Sequence, residues 1–198
     1  MYSKSSVKEV INAMATKELE DKGEGSRFAT EKEKAEEMFR DGTNSNDKFW
    51  DAYVKEVLGD ENGDNYRIVN KGGDNVTVQK KGENGNWVTD DTFGGKNGLS
   101  EKDAIEALAN KRAADYTDKE LEELEKKALD LTNTIKGAGI KEESQRNKIA
   151  SDLVLGNEVD LSKLSQGALN NIDSTQVEEQ YRDALDSAIK NSKDAWDL

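Results

Sequence analysis

The chain has 198 residues, of which 42 are acidic and 29 basic, so its formal net charge is −13. It contains no Cys, no His and no Pro. Without Cys there are no disulfides, thiol nucleophiles or thiolate metal sites, and without His there is no Ser-His-Asp triad and no imidazole base. The chemistry that remains is that of carboxylates, of hard cations and of non-catalytic association.

The charge and apolar content also limit the class of partner. Hydrophobic residues make up 33% of the chain and charged residues 36%, which is close to the composition of disordered proteins. The acidic balance argues against nucleic acid and against anionic membranes as partners. No apolar run approaches the roughly 20 residues of a membrane span, and no apolar signal segment is evident. We therefore expect a soluble protein without a signal peptide, in the cytoplasm or in a virus particle.

Three helices are predicted in the first 60 residues. Apolar residues recur at helical spacing after Ser5 and Ser6, and Thr30 with Glu33 forms a capping box for the second helix. The third helix follows Asn46 or Asp47 and carries a dense apolar and aromatic set: Phe49, Trp50, Tyr53, Val54, Val57 and Leu58. Such a set is typical either of a buried core or of an exposed binding stripe, and the core is the favoured interpretation.

The next segment changes from helical to strand periodicity. Residues 66–69, 76–78 and 87–89 are short runs rich in β-branched and aromatic side chains, and they are separated by Gly- and Asn-rich turns. We predict a three-stranded antiparallel meander, which needs a helix or a partner over it to be stable. The glycine-rich run at 94–98 is the best linker candidate.

The remainder of the chain is predicted to be helical. Ser100 with Asp103, and Thr117 with Glu120, have the spacing of helix starts. A further helix is predicted from 142 to 155, and the last one begins at Ser174 or Thr175. The predicted fold is thus mainly α with a small antiparallel β meander. It is divided into an N-terminal domain at 1–95, of helices and meander, and an all-helical domain at 96–198.

The last helix carries an apolar stripe that is a candidate for partner binding. Tyr181, Leu185 and Ile189 lie on one face, and Trp196 prolongs that face almost to the end of the chain. A Trp so near the end of a helix would fray unless something covered it. We therefore predict that Trp196 is buried, against a neighbouring subunit or against the core of its own domain.

The sharpest local motif lies between the third helix and the first strand. Asp60, Asn62 and Asp64 have the 1-3-5 oxygen spacing of calcium loops, and the run resembles the start of an EF-hand or dockerin loop. Asn65 stands where such a loop has Gly, and Lys71 stands where the bidentate carboxylate belongs. A polar turn explains the same residues, so no metal ion and no other cofactor is predicted.

These observations favour a non-enzymatic function with no catalytic residues. We expect a structural or adaptor subunit of a larger assembly, such as a virus (phage) particle, that binds other protein chains or itself through helix faces and a sheet edge. Two alternatives stay open. One is a calcium- or ligand-binding module centred on Asp60–Asp64. The other is a carboxylate-dependent hydrolase, since acidic pairs are frequent throughout the chain.

Overall fold

The computed structural model describes residues 6–41, 46–137, 140 and 142–196, except for the side chain of Trp196. Within these residues the chain forms a small antiparallel sheet among α-helices, which confirms the predicted fold class. The helices are α1 (Lys8–Glu20), α2 (Arg27–Asp41), α3 (Asp47–Ala52), α4 (Glu101–Ala113), α5 (Asp118–Gly137), α6 (Glu143–Leu155), α7 (Gln166–Asn171) and α8 (Glu179–Trp196). The strands are β1 (Tyr66–Val69), β2 (Asn75–Lys81), β3 (Trp87–Thr89) and β4 (Leu99–Ser100). A π-helical turn at Tyr53–Val57 continues α3, and a 3-10 turn at Ser174–Gln176 precedes α8.

The contacts within the chain define two compact units. The sheet unit, Asp21–Asp115, contains α2, α3, the four strands and α4. The helical unit contains α1 together with the elements from α5 to α8. These boundaries differ from the predicted division at 95 and 96. α4 packs on α2 and therefore joins the sheet unit, whereas α1 packs on α5 and α6 and joins the helical unit.

Local capping explains where several helices begin. The Ser100 hydroxyl accepts a hydrogen bond from the Asp103 amide at the start of α4. Thr117 and Glu120 form a reciprocal capping box before α5, with both hydrogen bonds at 3.1 Å. Both of these starts agree with the sequence prediction.

Two other helix starts differ from the prediction. α2 begins before the predicted box at Thr30, because the Ser26 hydroxyl accepts a hydrogen bond from the Ala29 amide at 3.1 Å. α8 begins later than predicted, at Glu179. Asp173 instead caps the separate 3-10 turn by accepting from the Thr175 amide. Ser26 thus caps α2 ahead of the predicted position, and Asp173 caps the short turn that occupies the predicted start of α8.

The sheet is a meander with one additional short strand. β2 is central and pairs antiparallel with β1 and with β3 in the order β1-β2-β3, as predicted. β4 pairs antiparallel with the first two residues of β2, and Leu99 lies opposite Val76. β4 was not predicted, because a strand of two residues shows no alternation of apolar and polar side chains.

The core of the sheet unit lies between one face of the sheet and the helices. Ile68, Val76 and Val78 alternate inward from β1 and β2 and meet the aromatic residues of α3. Phe49 and Trp50 are fully buried, which confirms the core interpretation of this helix over the binding stripe. Burial and the charge of Asp103 raise the pKa of Tyr53 to about 12, so this phenol stays neutral.

The helical unit has its own core. The apolar faces of α1, α5, α6 and α8 meet in one cluster, and it includes Ile149 and Leu153 of α6. The start of α1 is tied to α6, because the Asn147 side-chain amide donates a 2.6 Å hydrogen bond to the Ser6 carbonyl. Tyr116 donates a hydrogen bond of 2.8 Å to Glu18, which joins the C-terminal part of α1 to the residues just before α5.

The glycine-rich run at 94–98 is a tight connection in the sheet unit. Gly98 has a φ of +85°, and a Cβ added to it would lie 2.5 Å from the Val76 carbonyl oxygen of β2. Gly94 has a φ of +95°, and a Cβ there would overlap the backbone of Gly98. This segment folds back on itself to place β4 beside β2.

We expect Gly98→Ala to lower the free energy of unfolding of the sheet unit by about 2 kcal/mol or more, since it adds a backbone clash to an unfavourable φ. Gly95→Ala is the matched control. Gly95 has a φ of +70° but has open space around the added Cβ, so it should cost only about 1–2 kcal/mol. Urea denaturation of both variants measures the difference. Equal losses in the free energy of unfolding would show that the close approach of Gly98 to β2 does not contribute to the cost of the substitution.

Candidate functional site

The side chain of Asp60 organises the turn between the π-helical turn and β1. Its Oδ2 accepts hydrogen bonds from the backbone amides of Asn65 and Tyr66, both at 2.9 Å. Its own amide donates to the Val54 carbonyl at 3.1 Å. Desolvation favours the protonated carboxyl, but several backbone amides donating to the carboxylate outweigh this and hold the pKa of Asp60 below its ordinary value.

The other two residues of the calcium-like motif are exposed. Asn62 and Asp64 lie at the surface of the turn, whereas Asp60 is buried. Among the described residues, no three Asp or Glu side chains are grouped so that they could hold a metal ion. The polar-turn interpretation accounts for the hydrogen bonds that Asp60 makes.

A shallow cleft lies beside this turn. It has a volume of about 350 Å³, and it is bounded by α3, the π-helical turn, the Asp60 turn and β1. Trp50, Val54 and Ile68 contribute apolar walls, while Lys55 and Glu61 bring opposite charges to it. The cleft gives the ligand-binding alternative a location but no single charge preference.

Millimolar calcium is expected to leave the melting temperature within about 1 °C of its value in chelator, because Asp60 already uses its carboxylate within the turn. A micromolar site would instead add about 4 kcal/mol at that concentration. Differential scanning calorimetry of the native chain and of Asp64→Ala tests this. A rise of several degrees that Asp64→Ala abolishes would establish the calcium-binding alternative.

The two outer strands of the sheet differ in how their edges are covered. On β1, the outward Tyr66 amide donates to the Asp60 carboxylate, so the first part of this edge is closed. On β3, no pairing beyond β2 exists within the described residues. The β3 edge is therefore the place where a further strand could add.

An exposed apolar side chain and a Trp lie on this strand. Val88 is 52% exposed, the highest value among the large hydrophobic residues of the described chain. Trp87 is partly exposed on the face of the sheet that is turned away from the core. The Arg67 guanidinium of β1 lies over the Trp87 ring, 4.6 Å from its centroid. Val88 and Trp87 point to opposite faces of the sheet, so the exposed apolar side chain and the Trp flank the same edge from two sides.

The predicted stripe of α8 lies mostly against its own unit. Leu185 is buried in the core of the helical unit, and Tyr181 and Ile189 are partly buried against the same core. Burial, with the charges of Glu178 and Glu18, raises the pKa of Tyr181. The side chain of Trp196 lies outside the described residues. The role of these residues in partner binding stays a prediction.

The sequence prediction of a sheet edge did not identify which residues form it. The register places Lys81 opposite Trp87 on the open face, and Lys80 on the other face with Tyr66. Side chains alternate between the two faces along β2, so the face of each residue follows once the lengths of the two turns fix the register.

No protein-family model matches this chain, and neither the curated proteins nor the solved structures include a match to it. In the part of the chain that the structure describes, none of the helices is both long and apolar enough to cross a membrane.

Proposed function

We propose that the chain is a non-enzymatic structural or adaptor subunit that binds other protein chains. The observation that carries the proposal is the outer edge of β3, which has no strand partner within the described residues. The exposed Val88 side chain lies on one face of the sheet at this edge, and Trp87 lies on the other. Exposed strand edges are the sites at which extended segments of other chains add to a sheet.

Composition supports the same proposal. The chain has no His and no Cys, so two of the commonest catalytic side chains are not available to it. A low apolar content, 33% of residues, favours a chain that gains stability when a partner covers part of its surface. Membership of a virus particle is one setting in which such a subunit would work.

The native mass of the purified chain tests the proposal. Sedimentation velocity over a wide range of concentrations is expected to show a species larger than the 21.9 kDa monomer. Since binding stabilises the folded chain by mass action, the melting temperature should rise with protein concentration. A compact monomer with a high, concentration-independent melting temperature would contradict the proposal and favour the ligand-binding module or the hydrolase.

A further inference from the structure

We propose that the β3 edge binds an extended, acidic segment of another protein, which adds to the sheet as a strand beside β3. The inference rests on the proposed protein-binding function and names the surface and the chemistry of the partner. Two independent features carry it. One is the direction of the backbone groups on β3, and the other is the charge of the open face of the sheet.

The hydrogen bonds on either side of β3 fix which of its backbone groups point outward. The Gly82 amide donates to the Asn86 carbonyl at 2.7 Å, and the Asp90 amide donates to the Val78 carbonyl at 2.8 Å. Hydrogen-bonded pairs alternate with non-bonded pairs along an antiparallel ladder. Val88 therefore directs its backbone groups toward β2, whereas Trp87 and Thr89 direct theirs to the free edge.

On the open face of the sheet, the strands carry basic side chains and no acidic ones. Its residues on the three strands of the meander are Arg67, Val69, Asn75, Thr77, Gln79, Lys81, Trp87 and Thr89. Two of these are basic and none is acidic, although the chain as a whole has a net charge of −13. These basic side chains therefore favour a negatively charged partner at this surface, although the protein as a whole is acidic.

Arg67, one of the two cations, is held over Trp87, and neither cation is neutralised by a carboxylate of the described residues. Arg67 reaches over Trp87, and its Nε donates a 2.6 Å hydrogen bond to Gln79 Oε1. Neither Arg67 nor Lys81 forms an ion pair with a carboxylate of the described residues. Stacking on the indole orients the guanidinium, so a carboxylate on an added strand would meet a positioned cation.

Asp90, the first residue after β3, is acidic but does not lie on the open face. The parity of the ladder places Asp90 on the opposite face, and its carboxylate accepts from the Thr92 amide at 3.0 Å. Lys80, on that same opposite face, contributes to the lowered pKa of Asp90, after the hydrogen bonds from Thr92.

The backbone groups of the edge favour a polypeptide over a nucleic acid, because an added strand satisfies both the N–H and the C=O groups of β3.

The test uses a fluorescein-labelled peptide of about eight residues in which Glu and Val alternate. Fluorescence anisotropy with the full chain is expected to show saturable binding. A peptide with Lys in place of each Glu should bind at least about tenfold more weakly.

Two variants separate the edge from the charge. Thr89→Pro removes an outward N–H without removing a bond to β2, and it should abolish peptide binding while the circular dichroism spectrum is kept. The double variant Arg67→Glu with Lys81→Glu should bind the Glu peptide about tenfold or more weakly than the native chain does, and it should bind the Lys peptide more tightly than the Glu peptide. Lys119→Glu with Lys126→Glu, two exposed lysines of α5, makes the same change in net charge and should have little effect.

Several outcomes would overturn this inference. Equal binding of both peptides would remove the charge argument, and binding unaffected by Thr89→Pro in a folded variant would remove the edge. Tighter binding of single-stranded DNA than of the Glu peptide would make the partner a nucleic acid. If Thr89→Pro lowers the native mass, the edge joins copies of this chain instead. A large native mass without peptide binding would leave the proposed function intact and refute the inference alone.

Discussion

Phe49→Ala is expected to lower the free energy of unfolding of the sheet unit by about 3–5 kcal/mol, one of the two largest effects that we predict for a single substitution. Phe49 is 0% exposed, and its ring meets three other aromatic rings. The centroid of Phe39 lies at 5.1 Å and that of Trp50 at 4.9 Å, both in edge-to-face geometry, and Tyr53 stacks at 6.4 Å. The substitution removes the ring that joins these contacts and leaves a cavity.

Phe49→Leu is the control for this prediction, since it keeps most of the apolar volume and loses only the ring contacts. Its cost should be about 1–2 kcal/mol. Hydrogen exchange read out by mass spectrometry, peptide by peptide, assigns each loss to the sheet unit or to the helical unit. If Phe49→Ala left stability unchanged but lowered the native mass, Phe49 would belong to a binding stripe and not to the core.

The parts of the fold that could be predicted from the sequence are those set by neighbours in the chain. The box of Thr117 with Glu120 and the cap of Ser100 on Asp103 depend on residues three positions apart, so their pattern is visible in the sequence. The strands of the meander could be predicted for a similar reason, because each is a short run rich in β-branched and aromatic residues between Gly- and Asn-rich turns.

The unit boundaries depend on contacts that no local pattern carries. α1 joins the helical unit although the sheet unit stands between it and α5 in the chain. α4 follows a glycine-rich run that has the composition of a linker, yet Gly98 lies against Val76 and α4 packs on α2. A glycine needed for close approach and a glycine needed for flexibility look alike in a sequence.

The candidate site was predicted only as a class. A sheet edge was expected, but the pairing of Arg67 with Trp87 crosses β2 and requires the register of both turns. The predicted stripe of α8 shows the opposite difficulty. An apolar face at helical spacing is stabilised by burial, whether it packs inside its own unit or against a partner. The sequence pattern therefore does not distinguish the two roles.

Leu185→Ala decides between those two roles for α8. Leu185 is 1% exposed and belongs to the core of the helical unit. We therefore expect the variant to lower the free energy of unfolding of that unit by about 2–5 kcal/mol, from lost burial and from the cavity left behind. Chemical denaturation followed by circular dichroism, combined with hydrogen exchange of the peptides of α5, α6 and α8, measures the loss where it occurs.

Leu129→Ala on α5 is the matched control, because the same atoms are removed from a side chain that is 37% exposed. It should change stability by no more than about 0.5–1 kcal/mol. Sedimentation of both variants, under conditions where each is folded, reports assembly separately. If Leu185→Ala kept the stability of the monomer and reduced its association, the stripe of Tyr181, Leu185 and Ile189 would be an interface. The burial of Leu185 leads us to expect the reverse, a helical unit that exchanges faster while the association of the folded fraction is kept.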